Sequence, residues 1–152
     1  MKNNKGITII ALIITIIVTL ILVTFVVNYG TTEIDKAKIE DLKATMLLIK
    51  GRANIVIDKE SFGEEYEKEG MLQYDDATTY TANIPNELRT MLTDTSNLYI
   101  WEQTAMDNNN IDVEITEEDF FIIDYNTLEI YSSLGYTIDG NTYYSLSQLQ
   151  TL

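Results

Sequence analysis

Residues 7–27, ITIIALIITIIVTLILVTFVV, contain no charge, no glycine and no proline, and this run constrains the chain more than any other feature. As a helix rising about 1.5 Å per residue it reaches roughly 30 Å, the thickness of a bilayer's hydrocarbon core. Its β-branched residues would favour a strand in water. In lipid, every backbone amide must be satisfied within the segment, and a lone span does that only as a helix. Thr8, Thr15 and Thr19 fall near one face, where each hydroxyl can bond back to the preceding turn. Lys2 and Lys5 precede the run while Glu33 and Asp35 follow it, so the expected orientation is N-terminus in, remainder out. A secretory signal peptide would have a shorter apolar region with a small-x-small site behind it. Residues 24–30 (TFVVNYG) have neither, and removal after the run is not expected.

The formal charge of −14 becomes −16 if Lys2 and Lys5 are lost. Such a chain repels phosphate backbones, and no basic cluster outside residues 36–52 could form a nucleic-acid groove, so direct nucleic-acid binding is not expected. Cysteine and histidine are both absent. That excludes disulfides, thiolate and imidazole catalysis and most transition-metal sites. An exported domain of this composition must hold together by packing alone.

Beyond Gly30, Thr31 or Thr32 is placed to cap a second helical run, with Glu33 and Asp35 in its first turn. Ile39, Leu42, Met46, Ile49, Ala53 and Val56 recur at three- and four-residue spacing as one apolar stripe. Lys36, Lys38, Glu40, Asp41, Lys43, Lys50 and Arg52 lie mainly elsewhere on the wheel. Gly51 interrupts the stripe without ending it. The acidic stretch 58–76 reads as an exposed connection with at most a short helix. Pro85 starts a short helix whose packing face is Leu88, Met91 and Leu92, and residues 98–101 (LYIW) form an aromatic-rich patch against the long helix, with Trp101 in the core. Ile111, Val113 and Ile115 alternate with Asp112 and Glu114 as a strand would. Residues 120–125 and 128–132 flank Asn126-Thr127 as a hairpin, and residues 136–144 turn at Asp139-Gly140 as a second. Ser145 to Gln148 offers a capping box.

Lys5-Gly6-Ile7-Thr8-Ile9-Ile10, followed by the unbroken apolar run, resembles the type IV prepilin and type II secretion pseudopilin signature, especially its clostridial form. The resemblance implies that a prepilin peptidase cuts between Gly6 and Ile7 on the cytoplasmic side, leaving Ile7 as a new, commonly N-methylated terminus. It also implies a filament core packed through Ile9, Ile10, Ala11, Leu12, Ile13 and Ile16. The partners implied are copies of the chain or other pilins, membrane lipid before assembly, and an inner-membrane assembly platform with its ATPase. The family usually has Glu where this chain has Ala11, and that Glu neutralises a neighbour's terminal amine. Ala11 therefore implies a tip position or another acceptor for the amine. Leu20 and Asn28 hold the places of the family's helix-loosening Gly and Pro, and Asn28-Tyr29-Gly30 is the expected break. Residues 120–131 (FFIIDYNTLEIY) and 135–149 (GYTIDGNTYYSLSQL) also resemble clostridial relatives.

The fold expected is α+β and pilin-like: a long N-terminal helix, half transmembrane and half amphipathic, packed against a small antiparallel sheet. Its parts are a leader at 1–6, a transmembrane and filament-core helix at 7–29, an amphipathic half at 30–58, a variable region with short helices at 59–110, and an antiparallel meander with a C-terminal turn at 111–152. The location expected is a single-pass cell-membrane protein that passes into an extracellular filament. Asp107, Asn109 and Asp112, with Glu118, are spaced somewhat like a calcium loop, but Ile111 takes a ligand place and Asp112 that of the turn glycine. Adjacent acids such as Glu64-Glu65 and Glu117-Glu118-Asp119 diverge rather than flank a substrate. With no phosphate loop, nucleophile elbow or triad, neither an enzyme nor a cofactor is expected. The rival reading is a single-pass anchored binding or sensor domain that never polymerises.

Overall fold

Helix α1 runs from Lys5 to Ser61, 57 residues, in a computed structural model that describes residues 5–63, 71–116 and 118–152. Within α1 the described side chains are Ile9, residues 11–24 and those from Asp35 onward. The helix passes without interruption through Asn28-Tyr29-Gly30 and Thr31-Thr32, so the expected break and the second helix start are both absent. One glycine in a helix costs only about 1 kcal/mol against Ala, too little to open a helix with good formers on both sides. Lys59 in the last turn complements the negative end of the helix dipole.

Two compact units divide the chain, Met1–Glu40 and Asp41–Leu152. In the second, the α1 segment is followed by β1 (Leu72–Gln73), α2 (Thr78–Thr81), α3 (Asn86–Met91), β2 (Leu98–Trp101), α4 (Gln103–Asn108), β3 (Phe121–Asp124), β4 (Glu129–Ile138), β5 (Asn141–Ser145) and α5 (Leu146–Leu149). The strands form one sheet in the order β1-β2-β3-β4-β5, with every neighbouring pair antiparallel. The fold is therefore α+β with a five-stranded antiparallel sheet.

Two strands come from stretches read as connection and patch. Leu72 and Gln73 in the acidic stretch pair with Ile100 and Tyr99, and residues 98–101 pair along their full length with β3. Conversely, residues 111–115 form no strand. Their alternation persists in burial, with Ile111 buried and Asp112 and Glu114 exposed, but the Gln103 side chain takes the part of a ladder partner. Its Nε2 donates to the Val113 carbonyl at 3.1 Å, and its Oε1 accepts from the Ile115 amide at 2.9 Å. A side-chain amide that satisfies backbone groups competes with sheet pairing.

The core lies on both faces of the sheet. Leu98, Ile100 and Ile122 meet Tyr74, Ala77, Ile84, Leu88 and Leu92 from the β1–β2 connection. On the other face Trp101, Phe121, Ile123 and Ile130 are also buried. Met46, Ile49, Ala53 and Val56 of α1 lose all contact with water, and this stripe, in the same unit as the sheet, has the length to cover that second face. Burying each such side chain stabilises by about 1.5–3 kcal/mol.

The β4–β5 hairpin turns at Asp139-Gly140 as expected. Ile138 pairs with Asn141, and Asp139 (φ 50°) and Gly140 (φ 82°) are both left-handed, the conformation a two-residue turn of this hand needs. The β3–β4 connection differs from the expected two-residue turn. Its ladder closes at Asp124–Glu129, and the Asp124 carboxylate organises the four residues between by accepting from the Asn126 amide and the Thr127 hydroxyl, both at 2.8 Å. Strand β4 is one bent strand rather than two, with a bulge between Tyr131 and Tyr136. Gly135 sits there at φ 64°, and an added Cβ would fall 2.7 Å from Tyr144 Cδ1 and 2.9 Å from the Tyr143 carbonyl oxygen. The Ser145–Gln148 capping box closes α5 as expected.

Candidate functional site

In the first unit the candidate surface is the apolar run. Eleven Ile, Leu and Val side chains between Ile9 and Val23 stand 48–62% exposed, and every residue from Ala11 to Thr24 is exposed, which covers the whole circumference of the helix. Its polar atoms have no need of a partner. The hydroxyls of Thr15, Thr19 and Thr24 donate to the carbonyls of Leu12, Thr15 and Leu20 at 2.7–2.9 Å. Half-exposing eleven such side chains to water is unfavourable by on the order of 10 kcal/mol, comparable with the whole stability of a small domain. Monomeric soluble proteins rarely leave so large an apolar surface in contact with water.

Of the residues expected to act here, Ile9, Ala11, Leu12, Ile13 and Ile16 belong to this collar. The backbone of Gly6, Ile7, Thr8 and Ile10 is helical, while their side chains, and residues 1–4 entirely, lie outside the described residues. Among the described residues no helix is long and apolar enough to cross a membrane. Within the run, the described side chains are Ile9 and those at 11–24, fewer than the roughly 20 that a span takes.

In the second unit, the spacing that suggested calcium belongs to a helix end. Helix α4 closes with Asn110 left-handed at φ 56°. The Ile111 amide bonds to the Met106 carbonyl at 3.0 Å and the Asn110 amide to the Asp107 carbonyl at 3.1 Å, the paired bonds of a Schellman motif. Asn109 is buried, with its Nδ2 donating to the Ala105 carbonyl at 2.8 Å and its Oδ1 accepting from Arg52 Nε at 3.3 Å. Asp107 accepts from Gln103 Nε2 at 2.8 Å. Asn109 Oδ1 therefore faces a guanidinium, whose positive charge opposes a cation at that oxygen. Among the described residues no group of three or more acidic side chains is placed to hold a metal.

The Asp119 carboxyl, in the second unit, is shifted by its surroundings. Burial pushes it above its ordinary range, against the Ser133 hydroxyl and the Phe120 amide, which favour the charged form. Ser133 Oγ donates to Asp119 Oδ1 at 2.9 Å and accepts from the Phe120 amide at 3.0 Å. With Ser133 only 4% exposed, this arrangement ties the 116–120 loop to β4.

An open groove of about 560 Å³ lies between α1 and the α4 end, lined by Leu47, Leu48, Gly51, Arg52 and Ile55 opposite residues 109–112. Leu47, Leu48 and Ile55 are 43–56% exposed. Sequence reasoning passed over them because they fall off the buried stripe. The signal was available as apolar residues on the wet side of an amphipathic helix, with Gly51 leaving the backbone between them uncovered.

No family model, curated protein or solved structure matches this chain.

Proposed function

We propose that the chain is a structural subunit of an extracellular type IV-pilus-like or type II secretion filament: a pilin-like protein stored in the membrane through residues 7–27 and assembled after a cut between Gly6 and Ile7. The observation that carries this reading is the collar from Ile9 to Val23, apolar around its full circumference, with its described threonine hydroxyls bonded within the helix. Such a surface is compatible with lipid and equally with a bundle of identical helices, which is what a subunit moving from one to the other requires. Transfer from lipid to a bundle gains little hydrophobic energy, so close packing must hold the filament and membrane machinery must supply the work. The Gly6-Ile7 junction supports the same reading, since a close approach of a peptidase to the scissile bond tolerates no Cβ there.

Co-expression with a prepilin peptidase tests it. The expected product has lost the mass of residues 1–6, and Gly6→Ala blocks the cut. An exported chain that keeps Met1 beside active peptidase and stays monomeric overturns the proposal.

A further inference from the structure

We infer that the groove at Leu47, Leu48, Gly51 and Ile55 receives the head of a second copy of this chain, entered by Leu134 of that copy. The inference rests on the filament reading and names a contact within it. Three observations point the same way.

The groove is lined mainly by apolar side chains, with Arg52 on its helical side. Residues 42–57 contain Lys43, Lys50 and Arg52 and no acid, while Asp112 marks the opposite rim. Residues 71–152 are the reverse, with 14 acidic side chains against Arg89 as their one base. The acidic segment of one copy therefore complements the basic segment of another.

Leu134 supplies an apolar knob within the acidic field. It is 56% exposed on β4 and borders a depression it shares with Glu118, Thr79, Asn83 and Phe120. Among the described residues of the five strands, no other large apolar side chain is more than half exposed. Leu134 lies on β4 beside the bulge at Gly135.

Finally, groove and knob are separate surfaces that share no residue. A contact between unlike patches, made once per pair, leaves one of each free, and it propagates as an open helical array where the rotation between copies does not close.

The native chain has no cysteine, so introduced thiols report contacts without background. Full-length protein carrying both Leu48→Cys and Leu134→Cys, processed and exported in a host with the assembly machinery, is sheared from the cells and oxidised. A ladder of multimers on a non-reducing gel is expected from the pair, with monomer from either single variant. Lys50→Glu is expected to lower the ladder yield several-fold. Dimers from Leu48→Cys alone would mean a two-fold contact and overturn the inference. So would a ladder obtained when Phe62→Cys, at an apolar position 85% exposed, replaces Leu134→Cys. Sheared filaments of the double variant that give no ladder defeat this contact and leave the filament reading standing, whereas wild-type chain that never enters the sheared fraction defeats both.

Discussion

Replacing Gly135 by Ala tests whether the bend in β4 is imposed by backbone geometry and crowding together. At φ 64° a Cβ costs roughly 1–2 kcal/mol from its clash with the following carbonyl. The built Cβ also meets Tyr144 Cδ1 at 2.7 Å, Thr142 Cγ2 at 2.9 Å and the Tyr143 carbonyl oxygen at 2.9 Å. Tyr144 is 5% exposed and its hydroxyl bonds to Glu87 Oε2 at 3.3 Å, so the ring has little room to withdraw. Overpacking of this kind adds about 1–3 kcal/mol, for a total of about 2–5 kcal/mol. Gly140→Ala is the control, because Gly140 has φ 82° with nothing within 4 Å and should show the strain alone. The assay is urea unfolding of the full chain in mild detergent, followed by fluorescence of Trp101, the sole tryptophan. With a slope near 2 kcal/mol/M, Gly135→Ala should lower the midpoint by about 1–2.5 M at unchanged slope, and Gly140→Ala by about half as much or less. If the two variants agree within about 0.5 kcal/mol, crowding at β5 contributes nothing and the account of the bend is wrong.

Three further outcomes are expected. Because burial raises the Asp119 carboxyl in the folded state, the native chain holds that proton more tightly than the unfolded one; stability is intact below the ordinary value of 3.8 and declines as pH rises through the folded pKa. Asp119→Asn should therefore gain on wild type as pH rises from about 3 toward 7, and a flat or falling difference in parallel urea titrations would contradict this. Asn110→Gly should leave stability within about 0.5 kcal/mol of wild type and Asn110→Val should cost about 1–2 kcal/mol, since the Schellman closure needs a left-handed residue; equal midpoints for the two would remove that role. On the filament reading, Ile16→Lys places an ammonium near the middle of the apolar run at a cost of about 3 kcal/mol. It should shift the protein toward the alkali-extractable fraction of membranes, and unchanged extraction would argue that residues 7–27 do not span.

Much of the head could be read before its structure was known, and the reason differs from element to element. The type of the β4–β5 turn was legible because Asp-Gly is one of few pairs that adopt two left-handed residues cheaply. The α5 capping box was legible because its hydroxyl and amide sit at a fixed spacing. The stripe Met46, Ile49, Ala53 and Val56 followed from helical period alone. The errors arose where distant residues competed with local pattern. Ile111 to Ile115 alternates as a strand does, yet Gln103, on another element, holds its backbone. Leu72-Gln73 was hidden inside an acidic stretch, because a two-residue edge strand is defined by its partner and leaves almost no pattern of its own.

The sequence by itself determined that residues 7–27 need an apolar surrounding, since 21 uncharged residues in a row have no polar face to offer water, and that neither thiol nor imidazole chemistry is open to the chain. It also determined which side chains are greasy enough to build a core. Tertiary structure alone decided which surfaces were left over: that Leu47, Leu48 and Ile55 line an open groove, and that Leu134 stands exposed on β4 next to the buried Ser132 and Ser133. Local sequence sets what a residue prefers, but whether it is covered depends on elements that arrive from far along the chain.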